Sequence, residues 1–198
     1  MTFYNDYLVL LSPPTAIKNE IDRYKRATAR LIGDYKSRYS PAHISVDTMP
    51  RQKPFYIEPV IDRLEYKIAR MPPVLLHLDG FAFFEHLHGK MTVYASLKNT
   101  PSTDSWFTLL AKELGIKKAF TPHITIARDI TGEQFNLLWP VIRHKKLAEP
   151  FWINELTICK RDTFSGPRTW QHFKRYAFKN DMTLGPAVNS GQPQTDLF

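Results

Sequence analysis

The chain has 198 residues, 43% of them hydrophobic and 23% charged, which excludes a disordered or collagen-like polymer and fits one folded domain. Its 27 Lys and Arg against 19 Asp and Glu leave a net charge of +8, so polyanions such as nucleic acid are the favoured partners. The single cysteine, Cys159, excludes an intramolecular disulfide and every multi-cysteine metal site, and no run reaches the roughly 18 apolar residues of a membrane-crossing helix. The first residues lack a basic region followed by an apolar stretch, so export is not expected. A cytoplasmic monomer without membrane association is the expectation.

Residues 7–11, Tyr-Leu-Val-Leu-Leu, form an apolar run stopped by Ser12-Pro13-Pro14, which reads as a buried strand. From Thr15, Ile17, Ile21, Tyr24, Ala27, Leu31 and Ile32 recur at helical spacing up to Gly33. Residues 42–48 alternate with period two as a strand, and Ile57, Val60, Ile61, Leu64 and Ile68 then return to helical spacing. Residues 74–85 read as one bent strand or two short ones around Asp79-Gly80. The order then restarts: a strand at 91–97, a helix at 103–114 stopped by Gly115, a strand at 123–127 and a helix at 134–146. Strands at 151–160 and 169–178 close the domain. From the first strand to His43 is 36 residues, and from Met91 to His123 is 32, so we expect an internal duplication with lobes at 7–85 and 91–178. The domain is expected to span 1–179, with 180–198 as a flexible tail rich in Gly, Pro, Asn, Ser and Gln.

His43-Ile44-Ser45-Val46 and His123-Ile124-Thr125-Ile126 stand at matching points of the two halves, each preceded by a proline two or one residues earlier. In a strand, a His and the hydroxyl two positions on share one face while the isoleucines and valine share the other. The apolar set faces the core, so the polar pair faces out. A rise of about 3.3 Å per residue puts the two groups roughly 6.5 Å apart, close enough to grip one tetrahedral anion.

These motifs resemble the 2H phosphoesterase superfamily, specifically its 2'-5' RNA ligase-like branch. The second extends to His123-Ile124-Thr125-Ile126-Ala127-Arg128, similar to a form frequent there, and Asp79-Gly80-Phe81-Ala82-Phe83-Phe84 looks like the strand between the motifs. Ser45 replaces the commoner Thr, and the usual Leu after the first His is absent. The resemblance implies an α+β, bilobal 2H phosphoesterase fold: two pseudo-twofold-related antiparallel sheets flanked by helices around a central cleft. It implies a metal-independent RNA or nucleotide 2',3'-cyclic phosphodiesterase without cofactor, acting on RNA or nucleotides with a 2',3'-cyclic phosphate or a 2'-5' linkage. His43 and His123 would be general acid and base, Ser45 and Thr125 would hold the phosphate oxygens, and Arg128 would supply a cation to the substrate.

The chemistry fits the residue types. Imidazoles with an ordinary pKa near 6.5 can supply one neutral and one protonated group near pH 7. No Gly-x-x-x-x-Gly-Lys-Ser/Thr loop occurs, which disfavours ATP-dependent chemistry. A rival is a non-catalytic RNA-binding module with the same anion site; another is a metal-dependent hydrolase built on Glu85, His86 and His88. Arg23, Lys25, Arg26, Arg30, Lys36, Arg38, Lys145, Lys146, Lys160, Arg161 and Arg168 are candidates to track a nucleic-acid backbone, and Phe83, Phe120 and Trp170 to stack a base.

Overall fold

The computed structural model describes residues 4–164 and 169–181. The elements run β1 (Asn5–Leu11), α1 (Thr15–Ile32), β2 (Ile44–Gln52), α2 (Pro54–Asp62), α3 (Leu64–Ala69), β3 (Val74–His86), a 3-10 turn (Leu87–Gly89), β4 (Lys90–Leu97), α4 (Pro101–Leu114), β5 (His123–Ile130), α5 (Gly132–Ile142), β6 (Pro150–Ile153), β7 (Glu155–Asp162) and β8 (Gln171–Ala177).

The α+β class is as expected, but the strands do not form two sheets. They form one antiparallel sheet of eight, ordered β6-β3-β4-β5-β2-β1-β7-β8. The reason lies at its centre. Ile44 of β2 and Ile124 of β5 pair, and this single register position joins what would otherwise be two four-stranded sheets. Each side of that seam takes strands from both halves of the chain. β3 pairs with β4, while β7 pairs with β1, so the order reads the same from either side when β1, β2 and β7 are matched to β4, β5 and β3.

The sheet also curls. β6 ends at Ile153 and β7 begins at Glu155, yet β6 is at one end of the strand order and β7 next to the other. One intervening residue, Asn154, spans at most about 7 Å, so the margins of the sheet must come round to meet there. Phe178 donates its N–H to the Asn154 carbonyl and ties β8 to the same point. Residues 151–160, expected as one strand, thus serve two strands on opposite flanks.

The helices cover one face. Ile17 and Ile21 of α1, Trp106 and Leu110 of α4, and Leu138 and Ile142 of α5 pack into one cluster with Tyr7, Val9, Ile44, Val46, Ile124, Ile126 and Ile158 of the strands. Leu8, Leu10 and Cys159 form a separate small cluster under Trp170 on the opposite face. Strand alternation explains the division, since Tyr7, Val9 and Leu11 point one way and Leu8 and Leu10 the other.

Local chemistry sets the remaining boundaries. Thr100 caps α4 by accepting from Thr103 N–H, so that helix begins earlier than expected, with Pro101 at its first position. Gly115 ends it in the left-handed region at φ 71°. The expected helix through 57–68 is two short ones, α2 and α3, meeting at Arg63. β3 is one strand with an irregularity at Asp79-Gly80, where Gly80 has φ 69°. Asn180 and Asp181, the first residues of the expected tail, donate to the carbonyls of Met71 and Ala69; residues 182–198 lie outside the described ones.

Candidate active site

The seam places the two motifs side by side. Ile44 lies opposite Ile124 in an antiparallel pair, so His43 and Ser45 flank that point on one side of the seam and His123 and Thr125 on the other. Directly opposed residues share a face, with Cβ atoms about 4.5–5.5 Å apart. Ile44 and Ile124, fully buried, occupy the helix-covered face. By alternation the side chains of His43, Ser45, His123 and Thr125 turn to the other face, and the two imidazoles are near enough there to act on each other electrostatically. Both histidines stand at the mouths of their strands, His43 just before β2 and His123 as the first residue of β5.

The imidazoles are held alike. His43 Nδ1 lies 2.8 Å from the carbonyl of Pro41, and His123 Nδ1 lies 2.7 Å from the carbonyl of Thr121. A carbonyl oxygen only accepts, so each Nδ1 carries a proton and donates it. That fixes the tautomer and leaves each Nε2 as the basic atom. Both histidines are half-buried. Burial holds the pKa of each below the ordinary value of 6.5, against the pull of its backbone hydrogen bond; positive charge acts further on His43 from Lys25, Arg128 and His123, and on His123 from Arg128. The Arg128 guanidinium is thus an electrostatic neighbour of both rings. Its backbone N–H donates to Ser37 Oγ at 2.9 Å, anchoring the loop before β2 to β5.

The walls differ. Beside His123, Phe84 stacks on Tyr94 at 4.3 Å between ring centroids, and both rings contact the imidazole, at 5.1 and 4.9 Å. Tyr94 is the cross-strand partner of Thr125. Beside Ser45 the partner is Leu10, followed by the Leu8, Cys159 and Trp170 cluster. Sequence reasoning missed Phe84 and Tyr94. Phe83 instead packs on the helix face against Phe135 and Trp139, Phe120 packs on Phe107, and Trp170 lies under the Arg161 guanidinium. Counting alternation from Phe84 rather than Phe83 would have selected the ring on the site face.

Several other expectations are corrected by position. His86 Nε2 is 2.9 Å from Thr92 Oγ1, and His88 sits in the 3-10 turn at φ 64°; among the described residues no three His, Cys, Asp or Glu side chains are grouped to hold a metal ion. Six of the basic candidates are ion-paired on the protein itself. Arg23, Arg26, Lys36, Arg38, Lys160 and Arg161 pair with Glu20, Asp22, Asp129, Asp34, Glu58 and Asp6. Arg168 lies outside the described residues. A concavity of about 290 Å³ beside Asp6, Arg51 and Arg161 is at the far end of β1 and β2 from the histidines, and Asp6 there is already engaged by Arg161, Thr163 and the Arg51 N–H.

Comparison with known proteins bears on the family and the fold. A profile described as the 2'-5' RNA ligase superfamily matches residues 13–163. Among solved structures, LigT of E. coli complexed with 3'-AMP is 16% identical with a TM-score of 0.62, the alignment covering 88% of this chain and 98% of that one. TT0787 of Thermus thermophilus is 13% identical with a TM-score of 0.63, covering 88% and 98%. E. coli LigT has also been solved with NADP+, at 17% identity and a TM-score of 0.60, covering 89% and 99%. At these identities the structures show a shared fold. No curated protein matches significantly.

Proposed function

Because the chain belongs to the 2'-5' RNA ligase superfamily, we propose that it is a metal-independent phosphodiesterase that opens 2',3'-cyclic phosphates of RNA ends or nucleotides, with 2'-5' linkages as related substrates. The observation that carries the reading is the pair of imidazoles across the seam, each with Nδ1–H tied to a carbonyl and Nε2 without a hydrogen bond among the described residues. Opening a cyclic phosphodiester needs a proton removed from attacking water and another delivered to the leaving ribose oxygen. A neutral Nε2 takes the first, and a protonated Nε2–H gives the second. The water oxygen–phosphorus bond forms as the phosphorus–ribose oxygen bond breaks, and the ester becomes a monoester.

Ser45 and Thr125 donate to the non-bridging oxygens, where charge grows in the transition state. Arg128 adds a permanent cation near both rings. The surroundings hold both histidines towards neutrality, and a bound phosphate anion opposes that by favouring protonation, so substrate itself arms the acid. The Phe84 ring, backed by the buried Tyr94, supplies a flat apolar surface for a base beside His123. E. coli LigT was solved with 3'-AMP and with NADP+, which is in keeping with a nucleotide substrate here.

The test is purified protein with a 2',3'-cyclic nucleotide in the presence of chelator. Turnover lost on His43→Ala and on His123→Ala is the expected result. Oligonucleotide binding without turnover on any cyclic or 2'-5' linked substrate would instead establish the non-catalytic RNA-binding module.

A further inference from the structure

The buried stripe of α1 runs Ile17, Ile21, Lys25, Thr28 and Ile32, so an ammonium occupies a core position with only 3% exposure. A charge at such a place is costly unless its protons are taken up. Lys25 Nζ gives them to backbone carbonyls rather than to a carboxylate: to Ser40 at 2.6 Å and to Ser37 at 3.3 Å. The one acid on its own helix that acts on it, Asp22, is bonded to Arg26.

Those carbonyls belong to the loop that presents His43. Tyr35 OH donates back to the Lys25 carbonyl at 3.1 Å, Ser37 Oγ receives the Arg128 N–H, and Pro41, next to Ser40, supplies the carbonyl that fixes the His43 tautomer. Lys25 therefore holds the residue adjoining the His43 anchor. His123 has the same carbonyl anchor at Thr121.

We propose that Lys25 is a positioning residue of the His43 half of the site: its buried ammonium clamps the 37–41 loop and sets a fixed positive charge behind the imidazole. The charged and titratable groups around His43 are Lys25 from α1 and Arg128 and His123 from β5; those acting on Lys25 are Asp22 from its own helix and Arg128 from β5. The clamp keeps Nδ1–H directed at Pro41, and the charge disfavours a second proton on Nε2. Burial also brings Lys25 down to about 8, with Asp22 opposing and Arg128 reinforcing the change. Its own charge is thus present at neutral pH and fades in mild alkali.

The role in turnover rests on the phosphodiesterase reading; the effect on His43 does not. The experiment is an NMR titration of both imidazoles in the full chain, paired with kcat and KM on a 2',3'-cyclic nucleotide. In Lys25→Met the His43 midpoint moves upward, the His123 midpoint moves less, and kcat falls about 10-fold or more with a smaller change in KM. Lys25→Arg, which keeps charge and donors, returns the His43 midpoint towards wild type. Lys25→Gln, which keeps a donor without the charge, reads the same displacement of His43 should the Met variant not fold. A folded Met or Gln variant with unchanged His43 titration and kcat overturns the proposal, as does a folded Arg variant in which His43 shifts as far as in the uncharged ones. Absence of turnover in the wild type would end the phosphodiesterase reading while the titration still decides on Lys25.

Discussion

His43 stands against a loop clamped by a buried lysine, whereas His123 stands against the rings of Phe84 and Tyr94, although both donate Nδ1–H to the carbonyl two residues earlier. The atoms fit for chemistry are thus duplicated, and the surroundings are not. A proton-transfer pair needs that combination. Two equivalent Nε2 atoms are required on either side of phosphorus, but only one is to be neutral and one charged at the moment of reaction. The base of a nucleotide, too, can stack on only one side, and the aromatic wall beside His123 gives the site a direction that the twin motifs lack.

The comparison can be broken most directly at the rings. His43→Ala and His123→Ala should each lower turnover on a 2',3'-cyclic nucleotide about 100-fold or more, and the double variant should be little worse than either single one, because the two act as a unit. A single variant that keeps wild-type turnover would show that the halves are not partners. The next largest effect is on the walls. Phe84→Ala should raise KM for the nucleotide about 10-fold, the worth of one stacked base, and leave KM for a base-free ribose cyclic phosphate unchanged. Leu10→Ala, on the other wall, should move neither constant by as much; equal effects would erase the proposed direction. Ser45→Ala and Thr125→Ala should each reduce kcat about 10-fold, as for one hydrogen bond to an oxygen that gains charge.

The smallest expected effect is on stability. Both histidines have folded pKa values held below 6.5 by burial, so in the window from those lowered values up to 6.5 the unfolded chain binds protons that the folded chain does not. The histidine contribution to stability should therefore rise with pH across that window and be complete by pH 7, read as the midpoint of urea unfolding at pH 5 against pH 7. His123→Ala should flatten part of the rise. Inorganic phosphate, which favours protonated imidazole in the folded state, should flatten it further in the wild type.

Much of this was legible in the sequence. The alternation in His43-Ile44-Ser45 and His123-Ile124-Thr125 was enough to put the polar groups on one face and the isoleucines in the core, because strand period is a local property. The seam itself was not legible: whether β2 and β5 pair or face each other across separate sheets depends on a contact between residues 80 positions apart. Nor was the crossing of β3 and β7 to the opposite flanks. The sequence offers Lys25 only as one of several basic candidates for a nucleic-acid backbone, since Tyr24, Ala27 and Leu31 suggest a stripe that leaves it out. In the structure that stripe is rotated so that Lys25 and Thr28 are buried and Leu31 is 42% exposed. Only the loop carbonyls of Ser37 and Ser40, which no periodicity reveals, explain why a lysine is tolerated there.

Asn154 carries a final consequence. Since one residue links strands on opposite flanks of the sheet, parting those flanks at that point would pull directly on covalent backbone. The Ile44–Ile124 pair and the Asn154 backbone thus join the two flanks at two separate places. A doubly tied pair of flanks favours a preset spacing between His43 and His123, so that fitting to a ligand would fall first to loops and side-chain rotations.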